Sequence, residues 1–179
     1  SIDFKDKIKK DSQNITGSIS PKEDQIVFAS QNFLFFAKLD GNCVSNLKEI
    51  SINLDFNASF ISWKKCGIII GTELGGVLLI PTKNLADIFS KSCIKRKEYT
   101  IIYDPKRSDK KNSGSIQYVS PCANNSYVII DSNGNGTIVS GDIQQTIAGG
   151  IKVFKLCNKD TFLVRFQNIN KLFAFDVIS

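Results

Sequence analysis

The sequence predicts an all-β fold of the β-propeller class, and three observations lead to this prediction. Short runs rich in Ile, Val, Phe and Tyr are bounded by Gly, Asn, Asp, Ser and Pro, which is the composition of strands and turns. A strand–turn–strand–turn–strand pattern occurs three times, and a degraded copy follows. Ser20, Ser62 and Ser120 mark the first three copies and lie 42 and 58 residues apart. The first interval matches a WD40-like blade of about 40–45 residues.

Four blade-like repeats are predicted, at 12–48, 50–90, 114–145 and 147–179. Residues 1–179 therefore form one propeller domain or a fragment of one. The apolar runs at 68–70 and 128–130 do not alternate with polar residues, which is typical of strands covered on both faces, as in stacked blades. The single helical signal, Leu85, Ile88 and Phe89, predicts one or two turns. A β-sandwich with a similar number of strands is the alternative fold.

The composition argues against an enzyme. The chain has 179 residues, of which 42% are hydrophobic and 22% charged, and it has no histidine, which excludes Ser/His/Asp and Cys/His catalysis. Its five cysteines are too far apart for a metal knuckle or a redox pair, so we expect reduced thiols. We expect no cofactor and no catalytic residue, and an enzyme of propeller fold is the weakest alternative.

No run approaches the roughly 18 apolar residues of a membrane span, and the N-terminus lacks the apolar core of a signal peptide. We therefore expect an intracellular protein without a membrane span.

The positive charge is concentrated in one segment. Residues 91–111 contain eight basic and three acidic residues, a net +5 out of a total of +6. We expect 91–113 to be an exposed basic connection between the second and third repeats. An alternative function is binding of RNA or an acidic partner through 91–111, with Tyr99 and Tyr103 available for stacking. The candidate partner-binding residues are Lys95, Arg96, Lys97, Lys106, Arg107, Lys110 and Lys111.

Residues 131–142 match a calcium-loop template in part. Oxygen ligands fall at positions 1, 3 and 5, glycine at position 6, an aliphatic residue at position 8 and a carboxylate at position 12. However, Asp142 is one methylene shorter than the usual glutamate, and the flanking runs are strand-like instead of helical. We therefore predict a turn between two strands with no metal, and calcium binding is the alternative.

Residues 66–85, a glycine-punctuated apolar hairpin that ends in Pro81-Thr82-Lys83-Asn84-Leu85, resemble an early blade of a known family. This family is the WD40-like N-terminal β-propeller of the cytoplasmic-face FG nucleoporins. Residues 115–143 are similar in outline to its next blade, so the resemblance covers about 80 residues.

The resemblance implies a non-enzymatic docking scaffold at the nuclear pore and nuclear envelope. Its partners would be a DEAD-box RNA helicase or other pore subunits, and its process messenger RNA export. The docking surface of that family is acidic, whereas the one strongly charged segment of this chain, residues 91–111, is positive. No docking residue is therefore transferred to a position here.

Overall fold

The computed structural model describes residues 15–30, 32–41, 43–52, 57–105, 114–122, 125–148, 151–156, 161–166, 171 and 173–176. Sixteen strands lie in these ranges. They are β1 (Thr16–Ile19), β2 (Gln25–Ser30), β3 (Phe33–Asp40), β4 (Cys43–Ile52), β5 (Ala58–Lys64), β6 (Gly67–Thr72), β7 (Val77–Pro81), β8 (Cys93–Ile94), β9 (Thr100–Tyr103), β10 (Ile116–Pro121), β11 (Ser126–Asp131), β12 (Gly136–Ser140), β13 (Ile143–Ala148), β14 (Ile151–Leu156), β15 (Thr161–Phe166) and β16 (Phe173–Asp176). Three short 3-10 turns span Thr82–Asn84, Ile88–Ser90 and Arg96–Glu98.

The strands form four sheets, and apart from β8 they are assigned to the sheets in chain order. Sheet 1 has the order β1-β2-β3-β4-β8, sheet 2 β5-β6-β7-β9, sheet 3 β10-β11-β12-β13 and sheet 4 β14-β15-β16. All pairings are antiparallel except that of β8, which runs parallel to β4. The all-β prediction is confirmed, and the helical signal at 82–90 corresponds to two 3-10 turns. No helix in the described ranges is long and apolar enough to cross a membrane.

Consecutive sheets pack face to face, which produces three apolar layers. Strand β6 illustrates this packing on both faces of one sheet, because Ile68, Ile69 and Ile70 are all fully buried. Ile68 and Ile70 belong to the layer between sheets 1 and 2, whereas Ile69 belongs to the layer between sheets 2 and 3. A third layer joins sheets 3 and 4 through Val128, Ile130 and Ile151. A two-sheet sandwich has only one such layer, so the sandwich alternative is wrong.

The structure differs from the sequence prediction at the basic connection. Its described part, residues 91–105, contains two strands instead of a bare loop. The first, Cys93–Ile94, extends sheet 1, and the second, Thr100–Tyr103, is the fourth strand of sheet 2. The physical reason is that Ile94 and Tyr103 are apolar residues within this charged stretch of sequence. Both are buried, at 2% and 5% exposure. Similarly, β13 (Ile143–Ala148) crosses the boundary expected between the third and fourth repeats.

Candidate protein-docking surfaces

The described part of the basic segment presents three cations together. Lys95, Arg96 and Lys97 are exposed and occupy the start of the 3-10 turn Arg96–Glu98, which we call the basic turn. This turn connects β8, at the edge of sheet 1, to β9, at the edge of sheet 2. The cations therefore lie at the outer rim where the first two sheets meet. Lys106, Arg107, Lys110 and Lys111 lie outside the described residues.

Glu98 fixes the shape of the basic turn. Its carboxylate accepts the Lys95 backbone N–H at 2.8 Å through Oε2 and the Lys91 ammonium through Oε1. The hydrogen bond from Lys91, followed by that from the Lys95 backbone, lowers the pKa of Glu98 below its ordinary value. Both side chains of the Lys91–Glu98 pair are mostly covered, at 24% and 19% exposure. The charge of Lys91 is thereby compensated locally, and the exposed cations in the described part of the segment are residues 95–97.

Asn84 connects the basic turn to the body of sheet 2. Its Nδ2 donates to the Glu98 carbonyl at 2.6 Å, and its own carbonyl accepts from Lys91 Nζ at 3.0 Å. Asn84 belongs to the 3-10 turn that follows β7, so three chain segments meet at one polar cluster. The three exposed cations are consequently held on a braced support.

The two tyrosines of the basic segment have structural roles. The Arg96 guanidinium lies 4.9 Å from the Tyr99 ring centroid and donates to the Tyr99 carbonyl at 3.1 Å. Tyr99 also packs against the layer between sheets 1 and 2, and Tyr103 is buried between sheets 2 and 3. Neither ring is presented as a platform for a nucleobase, which weighs against stacking with RNA.

The calcium-like segment forms a turn between β11 and β12, as the sequence predicts. The Asp131 carboxylate lies at the end of β11 and is 9% exposed. Its Oδ1 accepts the backbone N–H groups of Asn133 and Asn135, each at 2.9 Å, and its Oδ2 accepts Asn135 Nδ2 at 2.8 Å. Oδ2 also accepts the Gly114 N–H at 3.2 Å. This carboxylate organises the loop, and no group of three cysteine, aspartate or glutamate side chains that could hold a metal ion occurs among the described residues.

An open cleft of about 400 Å³ lies between sheets 3 and 4 beside this turn. The polar groups at its wall can hydrogen-bond a ligand, but Asp131 is already committed to the turn. No sequence signal identified this cleft, because it depends on how β10 and β14 are placed next to each other. Its lining residues are Gln117, Tyr118, Ile130, Asp131, Ser132, Gly134 and Ile151.

The side of sheet 1 that faces away from sheet 2 is a further surface, which we call the outer face of sheet 1. Leu34 and Phe36 point to the layer with sheet 2 and are fully buried. Phe33 and Phe35 alternate with them and point to the outer face. The phenylalanines of β3 are therefore divided between the two faces of sheet 1, with Phe36 on one side and Phe33 and Phe35 on the other.

A row of four sheets of three to five mainly antiparallel strands, each packed on the next, defines a protein of the β-propeller class. No known family model and no curated protein matches the sequence. Solved structures do match, and β-propeller proteins are among them. YCF48 bound to D1 peptide aligns with a TM-score of 0.58 and 10% identity, over 92% of this chain and 50% of that chain.

The β-propeller domain of Cps50 (Swd1) from Myceliophteria thermophila aligns with a TM-score of 0.53 and 13% identity, over 87% of this chain and 49% of that one. A chain of the S. cerevisiae complex of Dbp5 bound to Nup159, Gle1, IP6 and ADP gives a TM-score of 0.50 and 12% identity, over 89% and 43%. These likenesses confirm the propeller fold. The chain spans about half the length of the propeller chains that it matches.

Proposed function

We propose that this protein is a non-enzymatic protein-docking scaffold whose basic turn contacts an acidic surface of its partner. The observation that carries the proposal is the placement of Lys95, Arg96 and Lys97 on the braced turn at the outer rim of sheets 1 and 2. Exposed lysines lose side-chain entropy on binding, and a fixed backbone support reduces the further cost of ordering them. Charge of one sign at a rim also accelerates encounter with an oppositely charged partner.

We further propose that the scaffold belongs to the nuclear pore complex and acts in messenger RNA export at the nuclear envelope. Two observations support this. Residues 66–85 resemble a blade of the cytoplasmic-face FG nucleoporins, and the fold is similar to a chain of the complex that holds Dbp5, Nup159 and Gle1. The partner class that follows is a DEAD-box RNA helicase or another pore subunit. Because the basic turn is positive, the surface that it contacts on the partner must be acidic, in contrast to the basic partner surface that meets the acidic propeller of that family. YCF48, whose structure contains a bound D1 peptide, shows that a propeller of similar fold can hold a protein segment.

The direct test is binding of the chain to a purified DEAD-box RNA helicase of the Dbp5 type, measured by isothermal titration calorimetry at two salt concentrations. We expect binding that weakens with salt, and a loss of at least about tenfold in affinity when Lys95→Glu and Lys97→Glu are combined. The matched control is Lys22→Glu, because Lys22 is exposed in the turn between β1 and β2, far along the chain from the basic turn. Absence of binding, or equal effects of both variants, would contradict the proposal.

RNA binding through residues 91–111 is the second candidate, and the net +5 charge of this segment favours it. The wild type and the same lysine variants distinguish RNA binding from protein docking. Titration with single-stranded RNA at increasing salt should give only weak binding, because Tyr99 and Tyr103 are engaged in packing. Tight RNA binding that the lysine reversals abolish would favour this candidate over the protein scaffold.

A further inference from the structure

We infer that the free edge of sheet 2 binds an extended acidic segment of the partner protein, which pairs with β9 as an additional strand. The inference rests on the proposed docking role of the basic turn and specifies the form of the partner segment. Strand β9 (Thr100–Tyr103) is the last strand of sheet 2 and pairs only with β7 among the described strands. Alternate backbone N–H and C=O groups of such an edge strand point away from the sheet and can pair with another chain.

Sheet 1 shows how an added strand completes an edge of this kind. The last two residues of β4, Ser51 and Ile52, pair with the two residues of β8. The Ser51 N–H donates to the Ser92 carbonyl at 3.1 Å, and Ile94 of β8 is buried. A strand of two residues therefore satisfies backbone groups at the edge of sheet 1 and covers its apolar margin. No strand in the described ranges does the same for β9.

The side chains at the start of β9 are open to solvent. Thr100 and Ile101 are exposed, Ile101 at 38%, whereas Tyr103 is buried at the other end of the strand. Ile101 is opposite Leu78, which is buried and belongs to the layer between sheets 1 and 2. Ile101 thus lies at the outer margin of this layer, and an apolar residue on an added strand would extend the layer across it.

The charge beside this edge determines the chemistry of the partner segment. The basic turn comes directly before β9, so the exposed cations at residues 95–97 are close in the chain to Thr100. The carboxylate of the turn, Glu98, is already bonded to the Lys91 ammonium and to the Lys95 backbone. A strand that pairs with β9 passes these cations at one of its ends, and carboxylates at that end would be attracted to them.

A second copy of the chain fits this edge less well, because it would bring another basic segment of net charge +5 (residues 91–111) to the same place. The free edge of sheet 3 is also less suitable. Its strand β13 has an exposed Ile143 but carries no cation within Ile143–Ala148. Strand β9, in contrast, combines an open backbone edge, an exposed apolar side chain and a cluster of three cations.

The direction of the added strand follows from the pairing within sheet 2. All three pairings of this sheet are antiparallel, so we expect the added strand to run antiparallel to β9. Because β9 begins at the basic turn, the carboxyl-terminal half of an antiparallel partner segment lies beside the cations. The expected ligand is therefore an extended segment with apolar residues at alternate positions and carboxylates toward its carboxyl-terminal end.

The probe for the test is a fluorescein-labelled synthetic peptide of about ten residues that alternates valine and threonine and carries glutamates in its carboxyl-terminal half. Two further peptides are N-methylated, each on one of the two alternating sets of residues. Only one set of N–H groups faces β9 in an added strand. Fluorescence anisotropy with the full chain should therefore show a loss of at least about tenfold in affinity for one methylated peptide and little loss for the other.

Two variants of the chain locate the binding edge. Ile101→Ser should weaken binding of the unmethylated peptide about fivefold, because apolar contact is lost without a change of charge. Ile143→Ser is the matched control, since Ile143 is an exposed apolar residue on the edge strand of sheet 3. Hydrogen exchange followed by NMR should become slower at amides of β9 and not of β13 when the peptide is bound. Circular dichroism checks the fold of both variants.

Equal affinities of the two methylated peptides, or binding without protection of β9 amides, would overturn the inference. Protection of β9 that appears only as the concentration of the free chain rises would assign the edge to a second copy and would also overturn it. The docking proposal is tested separately by the helicase titration. Helicase binding that depends on Lys95 and Lys97, together with a peptide that does not bind, would contradict strand addition and leave the docking proposal standing. A helicase that does not bind, together with peptide binding that is sensitive to methylation, would give the opposite result.

Discussion

Gly71 of sheet 2 and Ile116 of sheet 3 touch at a point where a side chain on residue 71 has no room. A Cβ atom at Gly71 would overlap Cγ2 and Cβ of Ile116 and would also stand 3.1 Å from Cβ of Phe60. Both Gly71 and Ile116 are buried, and Ile116 belongs to the layer between the two sheets. The glycine is thus required by the close approach of neighbouring blades and not by its backbone conformation.

The first prediction concerns this contact. Gly71→Ala should lower the free energy of unfolding by about 1–3 kcal/mol, because a methyl group is forced into a filled layer. Urea denaturation followed by circular dichroism measures the change. The control is the same substitution combined with Ile116→Ala, which removes Cγ2, one of the two Ile116 atoms that the new methyl group meets, and leaves Cβ in place. We expect the double variant to be less destabilised than the sum of the two single variants, and simple additivity would contradict the assigned contact.

The strands were predictable from the sequence because their signals are local. Apolar runs such as residues 68–70 and 128–130 are only three residues long, yet they indicate that a strand is covered on both faces. The turn at Asp131 was predictable for the same reason, since aspartate, asparagine and glycine all act within five residues.

The edges of the sheets were not predictable in this way. The strand Cys93–Ile94 has two residues, and it exists only because it meets β4 from 41 residues earlier. The brace of the basic turn likewise depends on Asn84 reaching Glu98 from another segment. A charge count over residues 91–111 located the cations of the candidate site but could not show which of them are compensated.

The second prediction concerns Glu98 and pH. Because its pKa in the folded protein lies below the ordinary 4.5, its stabilising effect is complete above that value and is lost as the pH falls through the lowered folded pKa. Glu98→Gln should therefore reduce the free energy of unfolding by about 1 kcal/mol at neutral pH. The difference between variant and wild type should vanish once the pH lies below the lowered pKa of the folded protein.

Urea denaturation across the acid range provides the measurement for Glu98. Glu73→Gln is the control, since the Glu73 carboxylate accepts a single side-chain bond from Asn57 at the exposed surface, at 3.1 Å. Its effect should be small at every pH. A Glu98→Gln difference that persists unchanged in acid would show that the ionised carboxylate is not the stabilising group.

The third prediction concerns the turn at Asp131. Asp131→Ala removes the acceptor for the backbone N–H groups of Asn133, Asn135 and Gly114. We expect a loss of about 2 kcal/mol in the free energy of unfolding, because donors around a nearly buried site lose a charged acceptor. Ser132→Ala is the control, since Ser132 is exposed within the same turn.

Calcium should leave the melting temperature of the wild type unchanged, whether the ion or a chelator is in excess. The reason is that the Asp131 oxygens already accept four hydrogen bonds in the turn. Saturation at a hundredfold over a dissociation constant would add about 2.7 kcal/mol and would be easily visible. A calcium-dependent rise that Asp131→Ala abolishes would make this turn a metal site.

The last prediction concerns the first strands of sheets 1 to 3, which are linked by side-chain hydrogen bonds. The Trp63 backbone N–H donates to Ser18 Oγ at 2.9 Å, and Ser59 Oγ donates to the Ile116 carbonyl at 2.9 Å. Among the described strands, β5 and β10 each have one neighbour, so a backbone group that points away from this neighbour finds its partner outside its own sheet. Ser18→Ala and Ser59→Ala should each lower the free energy of unfolding by about 1 kcal/mol.

The two serine effects should add within about 0.5 kcal/mol, because the bonds join different pairs of sheets and share no partner. Trp63 is the only tryptophan and packs edge-on against Phe36 with ring centroids 5.8 Å apart, so its fluorescence reports on the junction of sheets 1 and 2. Ser18→Ala should therefore change the emission of the folded protein, whereas Ser59→Ala, at the next junction, should leave it nearly unchanged. Ser45→Ala on the exposed part of β4 should alter neither stability nor emission. Equal spectral changes for Ser18→Ala and Ser59→Ala would contradict the separate roles of the two bonds, because each serine reaches across a different boundary between sheets.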